Sequence, residues 1–215
     1  MTEHPLPAAR RADLRLALAM QRPMTSLTDR AILSVTTEFE DNRENWVRMW
    51  VDPGHAIRSD CGQMTACRGI TRQGRLLWLV RAEGKAFGYH SAEACPFAAM
   101  DEAAAAWAER RRVRRNWAFV ERLRRDLITG RQRFTVDIAD AHRSALCATG
   151  IEAFMARIGL GHVRRLPGRL VALMMTIEPQ VGFVILAAWE RLNGPMPADD
   201  PEPDAGRVRS GATPG

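Results

Sequence analysis

The stretch Trp107–Trp117, WAERRRVRRNW, places five arginines in six consecutive positions between two tryptophans. On a helical wheel that continues to residue 129, apolar residues gather on one side and most arginines gather on the other. The apolar side consists of Val113, Trp117, Val120 and Leu127. We therefore predict an amphipathic helix with a buried tryptophan side and an exposed arginine side. Arg124 falls on the apolar side, which predicts a helix break or a buried ion pair there.

The positive charge of the chain is concentrated in this stretch. Between Trp107 and Arg133 ten arginines stand against three acidic residues, a balance of +7, whereas the whole chain of 215 residues carries +6. The remainder of the chain is therefore close to neutral. Because Lys85 is the only lysine, which a GC-rich genome would also produce, the placement of the arginines is more informative than their identity.

An exposed row of guanidinium groups is typical of a phosphate-binding surface. Guanidinium donors form paired hydrogen bonds to phosphate oxygens, and the release of counterions favours binding whatever the base sequence. The candidate nucleic-acid-binding residues are Arg111, Arg112, Arg114, Arg115, Arg122 and Arg125. The function that we predict is that of a non-enzymatic nucleic-acid-binding or regulatory accessory protein. Contacts to phosphates set its affinity but not a base preference.

Two other interpretations of the arginines stay open. They form a solvated face, paired with acids elsewhere in the fold or with the acidic tail that contains Asp199, Asp200, Glu202 and Asp204. Alternatively, together with the apolar C-terminal helices, they dock an acidic partner protein, and the chain is an adaptor or an inhibitor. The oligomeric state is left open by the sequence.

The N-terminal half predicts a small antiparallel sheet, within a β region over 26–92. The apolar and β-branched runs at 31–40 and 45–51 form a first hairpin around the polar turn 41–45, DNREN. A second hairpin covers 75–90, with Glu83 and Gly84 at its tip. The glycine-bearing connection between the hairpins follows neither period and receives no assignment.

The C-terminal half predicts helices over 93–193, so the fold class is α+β. The basic helix covers about 97–129, as one helix or a broken pair, and a compact helical subdomain follows over 137–193. An arm with a short helix over 8–21 occupies residues 1–25. The tail over 194–215 is rich in proline, glycine and acid, a composition typical of disorder.

No cofactor or metal site is predicted. His55, Cys61, Cys67 and His90 lack the closely spaced cysteine pairs of a zinc knuckle. In a chain of this length without a secretory signal, Cys61, Cys67, Cys95 and Cys147 are typical of reduced thiols with no assigned role. Phosphate loops, dinucleotide fingerprints, nucleophile elbows and zinc-protease motifs are absent, so an enzyme is the least favoured class. Such an enzyme would need a pocket that joins His55, His90 or His142 to carboxylates.

Three further patterns have both a functional and a structural interpretation. Asp137, Asp140 and His142 form either an acid/base cluster or, more simply, a helix start capped by Asp137. Trp46, Arg48 and Trp50 alternate as a base-stacking strand face would, but tryptophans on a small sheet usually belong to the core.

The two short helices around Cys147 resemble a helix-turn-helix only poorly, since Asp140 and Ser144 fall where that motif buries apolar residues.

No segment predicts a membrane span. The longest apolar run, Val181–Trp189, has nine residues, whereas a bilayer span needs about 20. The N-terminal arginines precede an interrupted apolar stretch that does not fit a secretory signal, so the expected location is the cytoplasm.

Residues 136–160, VDIADAHRSALCATGIEAFMARIGL, resemble a short helical segment of uncharacterised phage, prophage and proteobacterial proteins. The matching positions are Asp140, Ala141, Leu146, Cys147, Gly150 and Phe154, whereas Ala145 stands where that pattern has glycine. The resemblance covers about an eighth of the chain. It implies a mobile-element context and no particular activity.

Overall fold

The structure, a computed structural model, describes residues 40–44, 46–71 and 75–196. Within these ranges an antiparallel sheet is followed by six helices, which confirms the predicted α+β class. The predicted arm over 1–25 and most of the predicted tail over 194–215 lie outside the described residues. Among the helices that the structure describes, none is both long enough and apolar enough to cross a membrane.

Five antiparallel strands form the main sheet, in the same order in space as in the chain. They are β1 (Glu40–Glu44), β2 (Val47–Arg58), β3 (Met64–Thr71), β4 (Leu76–Ala82) and β5 (Tyr89–Ser91). The predicted turn after β4 is confirmed, since Glu83 and Gly84 lie in a turn and Gly84 has a φ of +69°. A separate two-stranded sheet pairs β6 (Thr135–Asp137) with β7 (Arg165–Pro167).

The first predicted hairpin is wrong in its turn. Residues 41–44 of the predicted turn lie in β1, which pairs with β2 from Glu40 opposite Val51 to Glu44 opposite Val47. Because β1 is an edge strand with one neighbour, its polar residues do not need to be buried. The chain reverses instead at Trp46, which has a φ of +69°. The rest of the predicted first strand, residues 31–39, lies outside the described residues.

The connection that received no assignment supplies the end of β2 and all of β3. The pairing of these strands shifts register between Asp52 and Ile57. Pro53, which has no N–H to donate, lies in this irregular part, and the N–H of Gly54 donates to Oδ1 of Asp52 at 3.2 Å. A strand interrupted in this way loses the period of two by which strands are predicted from sequence.

The six helices follow the sheet. They are α1 (Pro96–Arg115), α2 (Trp117–Thr129), α3 (Ile138–Arg143), α4 (Ala148–Arg157), α5 (Gly168–Met174) and α6 (Val181–Asn193). Pro96 occupies the first turn of α1, where its missing N–H breaks no helical bond. Gly130 ends α2 in the left-handed conformation that glycine adopts freely.

The predicted basic helix is a broken pair, because α1 and α2 meet at Asn116. The backbone of Asn116 leaves the helical region, with φ −101° and ψ 23°, and its side chain donates to the carbonyl of Arg112 at 3.2 Å. The sequence pattern predicted a break at Arg124, but the helix breaks eight residues earlier, at Asn116. Arg124 pairs with Glu121 at 3.3 Å, but this pair is partly exposed and is not the buried ion pair of the alternative prediction.

Two cores meet beside Cys147. In one, α1 packs on the sheet through Met100, Ala103 and Trp107. The other lies among α2 to α6 around Leu127 and Ile185, both of which are almost fully buried. Cys147 belongs to the first core, and the helix that begins after it belongs largely to the second. The connection between α3 and α4 therefore joins the two halves of the fold.

Candidate functional site

Five arginines form an exposed cationic surface on α1 and α2, which we call the arginine surface. They are Arg111, Arg114 and Arg115 on α1 and Arg122 and Arg125 on α2. None of the five makes an ion pair with any residue that the structure describes. Arg122 lies over the ring of Phe119, with its guanidinium carbon 5.2 Å from the ring centre. No residue in the described part of the chain neutralises these guanidinium groups.

Arg112, the sixth candidate, is held differently. Its guanidinium donates to Glu109 at 2.6 and 2.8 Å on the same helix and to Glu190 of α6 at 2.9 and 3.1 Å. Hydrogen bonds to these two carboxylates raise the pKa of Arg112 above its usual range. A guanidinium so enclosed joins α1 to α6 and has few donors left for a phosphate.

Arg110 lies on the opposite side of α1 and is buried, with 8% of its surface exposed. It is three residues from Trp107 and three from Val113, so helical geometry places all three on one face. Its Nε donates to the carbonyl of Ala145 at 2.9 Å. Burial lowers the pKa of Arg110. The sequence prediction did not include Arg110 among the candidate phosphate-binding arginines and gave it no role of its own, although its spacing from Trp107 and Val113 indicates burial.

A cavity of about 90 Å³ lies where the two cores meet. Its wall is mainly apolar, with Ile151 and Phe154 of α4 and Val184 of α6 among its side chains. Arg110 and Cys147 also line it. The lining residues range from Trp46 to Val184 along the chain, so no local sequence motif indicates the cavity, and it was not predicted from the sequence.

Glu178 supplies a carboxylate to the cavity wall, and both of its oxygens accept hydrogen bonds. The indole N–H of Trp46 donates to Oε2 at 2.8 Å, and the N–H of Gln180 donates to Oε1 at 3.0 Å. The ring of Trp46 also packs edge-on against Phe154, with 5.5 Å between ring centres. Glu178 therefore fixes the β1–β2 turn against the helical core.

Cys147 and His90 come together behind the cavity. The Sγ of Cys147 lies 3.5 Å from Nδ1 of His90, and it accepts the N–H of Gly150 at 3.3 Å. Burial raises the pKa of the Cys147 thiol. A neutral thiol is a poor nucleophile, so this pair lacks the activated thiolate of a cysteine enzyme.

The predicted cluster of Asp137, Asp140 and His142 forms the start of a helix and not an acid/base site. Asp137 caps α3, accepting the N–H of Ala139 at 3.1 Å, which confirms the structural interpretation of that cluster. Asp140 is fully buried in contact with arginines, and His142 is exposed. Across the described part of the chain, no group of three or more His, Cys, Asp or Glu side chains could hold a metal ion.

Trp46 and Trp50 do not form a base-stacking strand face. Trp50 is buried, with 6% of its surface exposed, and Trp46 lies in the turn before the strand. Arg48 is the exposed residue of the three. The core interpretation of Trp50 is therefore confirmed.

The exposed face of α4 carries charges of both signs. Its exposed positions include Glu152 and Arg157, and Glu152 pairs with Arg75 at 2.8 Å. A recognition helix that enters the major groove presents side chains that bind bases and phosphates. The polar residue Asp140, which argued against a helix-turn-helix, is buried through ionic contacts instead of apolar ones.

No protein-family model matches this chain, and no match was found among curated proteins or solved structures. The resemblance of residues 136–160 to phage and proteobacterial proteins therefore stays a prediction.

Proposed function

We propose that this protein binds nucleic acid through the arginine surface, as a non-enzymatic accessory or regulatory protein. The observation that carries the proposal is the exposure of five guanidinium groups that make no ion pair with a described residue. Phosphate oxygens offer such groups paired, charge-assisted hydrogen bonds. Each guanidinium that neutralises a phosphate also releases a counterion, which strengthens binding at low salt.

The spacing of these arginines is unfavourable for the folded chain alone. Arg111 and Arg115 are four residues apart, and like charges at this spacing destabilise a helix by about 0.2–0.5 kcal/mol per pair. The helix dipole stabilises the charges of Arg114 and Arg115, which lie in the last turn of α1. Arg122 and Arg125 lie before the last turn of α2 and lack this stabilisation. An anionic partner supplies the missing compensation.

The proposed contacts read the phosphate backbone and not the bases. Arginine contacts to phosphates orient a protein on nucleic acid without carrying sequence information. The described helix that follows the α3–α4 connection, α4, has a nearly neutral exposed face. We therefore expect similar affinities for unrelated sequences of the same length and strand state.

The test is fluorescence anisotropy with labelled duplex DNA, single-stranded DNA and RNA across a salt series. The variant changes Arg111, Arg115 and Arg122 to Gln. We expect wild-type binding to weaken with salt, and the logarithmic salt slope of the variant to be smaller by roughly one unit per lost contact. The matched control changes Arg58, Arg157 and Arg169, which are exposed arginines on other elements, to Gln.

Two results would contradict the proposal. One is that no nucleic acid binds the wild type even at low salt. The other is that the control variant loses as much of the salt slope as the test variant, because net charge and not the arginine surface would then account for binding.

A protein partner with an acidic surface is the second candidate. Its specific support is the exposed apolar row of Leu170, Leu173 and Ile177, which adds a hydrophobic component that phosphates do not require. Most apolar residues of α6 do not contribute, since Val181 to Leu186 are buried in the core, whereas Leu192 is exposed. Crosslinking to one partner that persists at high salt, without nucleic-acid binding, favours this candidate.

A further inference from the structure

Arg110 is a buried cation that forms no ion pair with any residue described by the structure. Its Nε is satisfied by the carbonyl of Ala145, but its two terminal nitrogens make no hydrogen bond or ion pair with any described residue. A guanidinium stays protonated in proteins, so the charge is present although it is buried. Buried charges are normally paired, because an unpaired one costs several kcal/mol of free energy.

The neighbouring acidic groups that the structure describes do not pair directly with Arg110. Burial raises the pKa of the Cys147 thiol, so it is neutral at physiological pH. The charge of Glu178 acts on Arg110 and favours its protonated form, but the two side chains form no ion pair, and both oxygens of Glu178 are engaged by Trp46 and Gln180. The terminal nitrogens of Arg110 therefore remain open beside the cavity that Arg110 lines.

The cavity joins this cation to an apolar chamber. Its volume of about 90 Å³ is several times the roughly 10–15 Å³ that one water requires. The side chains of Ile151, Phe154 and Val184 have no hydrogen-bonding groups, so their part of the cavity wall is apolar. Pockets that bind small molecules combine such walls with a few convergent polar groups.

We propose that this cavity binds a small carboxylic acid with an apolar body, whose carboxylate pairs with Arg110 and whose body packs among Ile151, Phe154 and Val184. A carboxylate matches the planar fork of a guanidinium, which binds both oxygens at once. Arg164, which is exposed and lies at the cavity edge, favours the entry of an anion. The carboxylate of Glu178 stands in the same wall and excludes acids that carry a second negative charge.

The first test uses the full chain and a series of simple acids, with titrations followed by calorimetry and by tryptophan fluorescence, since Trp46 lines the cavity. Butanoate, hexanoate and phenylacetate are compared with phenylacetamide and with inorganic phosphate. We expect affinity to rise up to about fourfold for each buried methylene group until the chamber is filled. Phenylacetamide should bind at least tenfold more weakly than phenylacetate, and phosphate should not compete.

Two variants locate the site. Arg110→Met removes the cation and keeps an unbranched side chain, and it should abolish the preference for the acid over the amide. Arg111→Met is its matched control, because Arg111 is the exposed neighbour on the same helix, and it should bind like the wild type. If Arg110→Met does not fold, Ala141→Leu replaces it, since this side chain enlarges into the cavity and should block binding.

Three outcomes would overturn the proposal. They are saturation by none of the acids, equal affinity for phenylacetate and phenylacetamide in the wild type, and unchanged binding of phenylacetate by both Arg110→Met and Ala141→Leu. Because no nucleic acid is used, none of these outcomes depends on the arginine surface.

Discussion

Arg191 donates two hydrogen bonds to the buried carboxylate of Asp140 and so joins α6 to α3. Its Nε donates to Oδ1 at 2.8 Å, and its Nη2 donates to Oδ2 at 3.1 Å. Arg143 donates to the same carboxylate. Oδ2 also accepts the backbone N–H of Asp137 at 2.8 Å, which completes a reciprocal cap at the start of α3. One side chain therefore fixes both a helix terminus and a contact between helices.

We expect Asp140→Ala to lower the free energy of unfolding by about 2 kcal/mol, because it removes a helix cap and leaves Arg191 and Arg143 without their shared carboxylate. The loss of stability is limited because the Arg191 side chain is 34% exposed, so water can hydrate its charge when the carboxylate is removed. Urea unfolding monitored by circular dichroism measures the change. Asp101→Ala, at an exposed position on α1, is the control and should change stability by less than about 0.5 kcal/mol.

The same carboxylate predicts a pH dependence. Burial alone would raise the pKa of Asp140, but the hydrogen bonds from Arg191, Asp137 and Arg143 outweigh burial and lower it. A carboxyl group whose folded pKa lies below its unfolded value, about 3.9, stabilises the fold above that pH and loses this effect as the pH falls through the folded pKa. The stability difference between wild type and Asp140→Asn should therefore shrink on acidification below about pH 4. A difference independent of pH contradicts this assignment.

The elements with local signals were predictable from sequence. Asp137 caps its helix through its own side chain, and Pro179 and Gly130 lie at or near helix ends whatever the rest of the fold does. Trp107 and Val113 share a helical face, and that face is buried. These features depend on residues within one or two turns of each other.

Features that depend on distant partners were not predictable. Arg112 leaves the candidate surface because Glu190 approaches from α6, 78 residues further along the chain. The strand β1 is polar, and only its pairing with β2 identifies it. The cavity combines Arg110 with residues of α4 and α6, which no periodicity relates. A sequence pattern reports the face of an element and not what lies against it.

Close helix packing predicts that Gly168 does not tolerate a side chain. A Cβ at Gly168 would lie 2.8 Å from a methyl carbon of Leu127 and 2.8 Å from the carbonyl oxygen of Phe134, which is backbone and cannot rotate away. We expect Gly168→Ala to destabilise the fold by about 1–3 kcal/mol, measured by urea unfolding. Gly161→Ala is the control, because its nearest contact would be 3.7 Å, and an equal loss in both variants would contradict the packing argument.

The cysteines should differ in their reactivity. Cys61 is exposed, and a hydrogen bond with Ser59 lowers the pKa of its thiol. Cys147 is buried, and burial raises the pKa of its thiol. Because the thiolate is the reactive form, iodoacetamide at neutral pH should label Cys61 in the native protein, while Cys67 and Cys147 should need urea. Mass spectrometry of timed samples measures this order, and native labelling of Cys147 at the rate of Cys61 would refute it.

The two kinds of arginine on α1 should separate stability from binding. Arg112→Gln removes the ion pair with Glu190 and should lower the free energy of unfolding by about 1 kcal/mol, since both partners are partly exposed and screened by solvent.

Arg115→Gln removes the same charge from an exposed site without an ion pair to a described residue, and it should leave stability within about 0.5 kcal/mol of wild type. If the arginine surface binds phosphates, the salt slope should fall more for Arg115→Gln than for Arg112→Gln, although net charge changes equally. A double-mutant cycle of Arg112→Gln with Glu190→Gln isolates the ion pair between α1 and α6, and a coupling energy near zero would show that this pair does not stabilise the fold.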